Sequence, residues 1–135
     1  MSRIDGDYRE LMDRARQAAE FSYSPYSRYR VGAAVLCRNG SIYSGCNVEN
    51  ESITETVCAE RTAIVKAVSE GNQEIIAVAV YVTGQVNVWP CGVCLQFVAE
   101  FGQNIEIVTE QEDGSLSAIK VCKLLPALSL QPRGS

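Results

Sequence analysis

The chain has 135 residues, 47% of them hydrophobic and 21% charged, which suits a single soluble domain with a core of its own. Its formal net charge of −4 speaks against a polynucleotide partner, because phosphate neutralisation calls for a basic surface. The amino-terminal stretch 1-MSRIDGDYRELMDRARQAAEF-21 is charged and has no secretory apolar run, and no segment approaches the ~20 apolar residues of a membrane span. The expectation is a cytoplasmic protein without membrane contact.

Apolar or small residues at helical spacing (Tyr8, Leu11, Met12, Ala15, Ala18, Ala19) predict a first helix over 6–20. The stretch 22-SYSPYSRYR-30 is rich in turn residues, and Pro25 excludes a continuous helix. Arg28, Arg30 and Arg38 form the one basic grouping and read as solvated loop charges. Asn39-Gly40 between 31-VGAAVLC-37 and 42-IYSGCNV-48 predicts a hairpin. A second helix is expected over 57–70, apolar on nearly all sides and hence covered on several of them, with Gly71 as its stop. The continuous run 75-IIAVAVYV-82 reads as a central strand buried on both faces. A third helix is expected from Cys91 to Phe101, ended by Gly102. Next come a strand over 104–110, a turn at Asp113-Gly114, a short strand near 116–121 and a helical turn stopped by Pro126. Strands interleaved with helices, opened by a hairpin, predict a layered α/β domain around a mixed sheet. Residues 1–130 are expected to form one domain, with 131-QPRGS-135 a polar tail.

The chain carries six cysteines and no histidine. In a cytoplasmic setting such thiols point to metal binding or catalysis before disulfides. The missing imidazole excludes Ser-His-Asp and Cys-His catalysis within one chain, and any zinc site that needs histidine. Cys58 and Glu60 sit at one predicted helix entrance, in 55-ETVCAERTA-63. Cys91 and Cys94, in 89-WPCGVC-94, share a face of the first turn of another. Helix N-termini carry partial positive charge and free N–H groups, which favour thiolates. Two such openings meeting at one sheet edge would give zinc three sulfur ligands and an open position, the layout of a catalytic site. Water there would be acidified, and Glu60, close by but not a ligand, could carry its proton. Taken singly, the C-x-x-C pair also reads as a structural zinc site or redox pair, and Glu60 as a charge stabilising a helix start. Cys37, Cys46 and Cys122 read as small core residues.

At these residues the chain resembles the small zinc-dependent cytidine deaminases, the free-nucleoside branch of the zinc deaminases. The resemblance spans nearly the whole chain, through 24-SPYSRYRVGAAV-35, 45-GCNVEN-50, 58-CAERTAIVKAVSEG-71, 90-PCGVC-94 and 124-LLP-126. It implies a three-layer α-β-α sandwich around a mixed five-stranded sheet. It implies a zinc ion on Cys58, Cys91 and Cys94, with Glu60 shuttling protons as hydroxide attacks C4 of cytosine and ammonia leaves. It further implies that Asn47 and Glu49 hold the ribose hydroxyls, that Tyr29 and Ala59 contact substrate, and that Arg61 donates to the ligand sulfurs. On their own, Asn47 and Glu49 read as polar residues finishing a strand, and Tyr29 as core or surface. The expected activity is deamination of cytidine and 2′-deoxycytidine in pyrimidine salvage, by a homotetramer with shared active sites.

Three departures from the family pattern stand out. Leu95 occupies a position where the family carries a second arginine, 53-ITE-55 replaces Tyr-Gly-Leu, and Ser129, between Leu128 and Leu130, replaces a Phe that reaches a neighbouring subunit's base. They raise a second reading, a deaminase of a modified cytosine nucleoside. A non-catalytic zinc-stabilised binding module and a polynucleotide editor are the remaining alternatives. The retained Glu60 weighs against the first of these, and the acidic balance and 47-NVEN-50 against the second.

Overall fold

A computed structural model describes residues 6–125. Pro126, Ser129 with its leucine neighbours, and the 131–135 tail lie outside the described residues. The elements are α1 (Asp7–Ala19), β1 (Val31–Cys37), β2 (Ile42–Cys46), α2 (Ala59–Ser69), β3 (Ile75–Val82), α3 (Gly92–Ala99), β4 (Glu106–Glu110), β5 (Leu116–Lys120) and α4 (Val121–Leu124), with a 3-10 turn at Ile53–Glu55. The sheet runs β2-β1-β3-β4-β5. Only β3 and β4 pair in parallel, so the sheet is mixed, as predicted.

The period-2 alternation of the strands divides the core into two layers. Ala33, Val35, Val78, Val80 and Ile107 face α2 and α3. Ala34, Leu36, Ala77, Ala79 and Val108 face α1. Helix α1 buries the six positions its spacing singled out, and the Tyr8 hydroxyl donates to Glu106 of β4 at 2.5 Å.

Two glycines set how closely the helices seat. A Cβ on Gly32 would stand 1.9 Å from the Ala15 carbonyl oxygen, and one on Gly45 would stand 2.7 Å from the Ala63 amide. Both helices therefore rest directly on strand backbone.

Local stop signals behave as their chemistry dictates. Helix α2 ends in a Schellman motif: the Gly71 amide bonds the Val68 carbonyl at 3.0 Å and the Asn72 amide bonds that of Ala67 at 2.9 Å. Helix α3 is shorter than expected, its regular part ending at Ala99 before a turn through Phe101. The second helix is expected to be covered on several sides; among the described residues Val65 and Val68 are 50% and 37% exposed. Helix α2 lies mainly over β2 and β1, and β2 is the sheet's edge, so among the described residues its outer side is left partly exposed.

Candidate active site

Helices α2 and α3 begin beside the carboxyl end of β3, where ligands commonly bind in open α/β sheets. A pocket of about 300 Å³ opens there. Cys58, Cys91, Cys94 and Glu60 lie along its lining with Ala59, and Asn47, Glu49 and Tyr29 border it as well. The structure thus brings together every residue the sequence placed at the site except Arg61, which is not among the lining residues.

Cys58 is the N-cap of α2 and Cys91 the N-cap of α3, both with extended backbone. Their carbonyls accept the first helical bonds, from Thr62 at 3.0 Å and Leu95 at 2.9 Å. Neither sulfur caps its own helix, so both remain available to another partner. Cys94 follows in the first turn of α3 and is buried. Its thiol hydrogen-bonds to Cys58, holding Cys58 down at about 7 while burial and the neighbouring Glu60 oppose the shift. The same bond, with burial and the nearby charges of Glu60, Cys58 and Cys91, drives Cys94 far above the ordinary thiol range. The neighbouring Arg61 charge and the Cys91 thiol add smaller lowering effects on Cys58. Among the described residues no group of His, Cys, Asp or Glu stands in finished metal-ligating geometry. The donor set nonetheless fits zinc, because soft thiolates with free N-cap sulfurs converge on one pocket at two positive helix ends.

Glu60 is only 5% exposed. Its removal from water raises its carboxyl above the usual range, against a hydrogen bond from Cys94 that lowers it. A buried carboxyl whose pKa is raised toward neutrality beside thiols is suited to proton transfer. The guanidinium of Arg61 lies over the Phe97 ring, and its charge helps lower Cys58.

Asn47 and Glu49 have a second task that their motif did not reveal. Asn47 is buried; its amide donates to the Tyr29 carbonyl at 2.9 Å and its oxygen accepts from the Val31 amide at 3.1 Å and from the Ser22 hydroxyl. Glu49 accepts from the Tyr26 and Ser27 amides at 3.0 and 3.1 Å and from the Ser27 hydroxyl. The Ser27 hydroxyl is the main cause of a Glu49 pKa below the ordinary range. Both residues pin the 22–31 segment that carries Tyr29.

Sequence reasoning assigned no role to the apolar wall of this pocket, formed by Val31, Val80, Val82, Val88, Trp89 and Pro90. The available signal was Trp89-Pro90 directly before the C-x-x-C pair. Ser27 and Thr56 add hydroxyls to the lining. The 53-ITE-55 departure forms the exposed 3-10 turn, with Ile53 86% exposed and outside the lining.

Comparison with known proteins identifies the family and the fold. The family model of the cytidine and deoxycytidylate deaminase zinc-binding region matches residues 6–109. A cytidine deaminase of Sporosarcina psychrophila is 42% identical over 121 residues, covering 89% of each chain. One of Halalkalibacterium halodurans is 43% identical over 121 residues, covering 89% of this chain and 92% of that protein. The crystal structure of cytidine deaminase from Burkholderia pseudomallei superposes with a TM-score of 0.82 at 36% identity, covering 89% of this chain and 97% of its own. With the family model spanning most of the chain and full-length relatives above 40% identity, this protein belongs to the cytidine and deoxycytidylate deaminase family.

Proposed function

We propose that this chain catalyses hydrolytic deamination of cytidine and 2′-deoxycytidine, converting each with one water into the uracil nucleoside and ammonia. The observation that carries this reading is the meeting of three thiols from two helix openings with a buried carboxyl in one pocket. Cys58, Cys91 and Cys94 would hold zinc, which when bound supplies the Lewis acidity that makes hydroxide available near neutral pH. Glu60 takes the first proton given up as water oxygen adds to C4 and passes it to N3 of the base, then carries the second, lost as C4–OH becomes C4=O, to the departing amino nitrogen, so that both hydrogens of the water are placed. The apolar wall excludes bulk water from that exchange.

Asn47 and Glu49 bind the ribose. Among the described residues, Asn47 keeps one N–H donor beyond its bond to Tyr29, and the Glu49 oxygen that takes the Ser27 hydroxyl keeps a lone pair. One donor and one acceptor match the two needs of a sugar hydroxyl pair. Tyr29 and Ala59 complete the substrate contacts, and Arg61 offsets thiolate charge. Association into a homotetramer is supported by the exposed Val65 and Val68 on α2. A cytoplasmic place in pyrimidine salvage agrees with the acidic balance and with the absence, among the described residues, of any helix able to cross a membrane.

The test is ammonia release from cytidine by the zinc-loaded protein beside a chelated control. Activity in the first and none in the second is expected, and Glu60→Ala should lower turnover about a thousandfold while zinc stays bound. A zinc-loaded parent that releases no ammonia, and loses neither zinc nor stability in Glu60→Ala, would point to a binding module instead; a Glu60→Ala variant that turns over as fast as the parent would remove Glu60 from the mechanism. The same assay on base-modified cytosine nucleosides tests the second reading.

A further inference from the structure

We propose that Trp89 is the specificity-determining residue of this pocket, the surface against which the flat face of the pyrimidine base packs. The inference rests on the deaminase reading above and adds to it the group that recognises the base. A pyrimidine has polar edges and apolar faces. The thiols, Glu60, Asn47 and Glu49 serve the edges and the sugar, and none of them offers a surface to a ring face. The rest of the wall is mostly short aliphatic: Val31, Val80, Val82 and Val88. Among the described residues two rings remain, Tyr29 and Trp89. Tyr29 is 54% exposed, whereas Trp89 packs against the main core cluster and is followed by the buried Pro90 and the N-cap Cys91. Its backbone is thereby fixed relative to the two sulfurs of α3. An indole held in advance loses little entropy on contact, and stacking of a base on an aromatic side chain is sensitive to truncation.

Trp89 is also the single tryptophan of the chain, so its fluorescence reports occupancy of this pocket. The experiment uses the zinc-loaded full chain. Trp89→Leu is expected to raise KM for cytidine about tenfold, with kcat changed less than about threefold and zinc content unchanged, while Trp89→Phe retains most of the affinity. In a Glu60→Gln variant, which keeps the indole, cytidine should change the fluorescence saturably, at concentrations near the parent's KM. Should Trp89→Leu fail to fold, Trp89→Phe and the fluorescence titration decide. If the parent releases ammonia from cytidine but Trp89→Leu keeps its KM, or the indole signal stays flat as cytidine saturates, the role of Trp89 is overturned and the deaminase reading stands. If the parent releases no ammonia from cytidine, the deaminase reading fails, and the role of Trp89 with it.

Discussion

The guanidinium carbon of Arg61 lies 5.5 Å from the centroid of the Phe97 ring, joining the two helices whose openings hold the thiols. Phe97 in turn tilts against Phe101, with centroids 6.0 Å apart. The ring holds the cation where its charge favours the Cys58 thiolate. Arg61→Ala should weaken zinc retention about tenfold or more, as losses of groups supporting metal ligands do. Phe97→Leu should weaken it about two- to fivefold, the worth of a partly exposed cation–π contact, and Phe97→Tyr should restore it. Competition with a chromogenic zinc chelator measures each; equal retention in all three variants would remove the pair from the site.

Leu95 is 6% exposed and packs in the core below the thiols. Three thiolates on a divalent ion leave net negative charge, and an alkyl chain does nothing to offset it. Leu95→Arg is expected to raise turnover near neutral pH or move the acid limb of the rate profile downward. It is also expected to lower stability by about 1–3 kcal/mol, because a core leucine is lost and a guanidinium partly buried. Rate profiles and urea melts on the same preparation separate the two effects. Unchanged turnover and an unmoved acid limb would show that thiolate charge does not limit this enzyme.

Gly32 has no room for a methyl group, since its Cβ would meet Ala15 and Ala19 backbone atoms of α1 at 1.9 and 2.7 Å. Backbone cannot swing aside as a flexible side chain does. Gly32→Ala should therefore destabilise the fold by about 3 kcal/mol, at the upper end of overpacking costs, read from urea denaturation. A loss under about 1 kcal/mol would mean that α1 slides freely on the sheet.

Glu49 has a lowered pKa, caused first by the Ser27 hydroxyl and then by backbone amides. A carboxyl whose folded pKa is depressed stabilises the fold above its unfolded pKa, and that contribution is lost as pH falls through the folded value. The grip on the 22–31 segment should thus persist through the ordinary carboxylate range and fail only below it. Ser27→Ala should move the Glu49 titration, followed by carboxyl-carbon NMR, back toward the ordinary value. An unmoved titration would show that the hydroxyl is not its main support.

Much of the fold was legible because its signals act over a few residues. The spacing of Tyr8, Leu11, Met12, Ala15, Ala18 and Ala19 predicted the buried face of α1, and Asn39-Gly40 predicted the hairpin, with Gly40 at φ 92°. For helix α2 the apolar pattern could not separate Val65 and Val68 from its buried residues; among the described residues these two stay partly exposed, with α2 lying over the edge strand β2.

The sequence by itself determined the chemistry available: thiols at two helix starts, a carboxyl two residues from one of them, and no imidazole. Those relations are local and follow from helix geometry and side-chain type. Tertiary structure alone decided that the two starts face one pocket, that Glu60 is shut away from water, that Asn47 and Glu49 pin the tyrosine-bearing segment, and that Trp89 walls the site. Each depends on the order β2-β1-β3-β4-β5 and on helices seated against glycine backbone. Distant segments become neighbours only when a shared core excludes water between them, and no short window of residues carries that information.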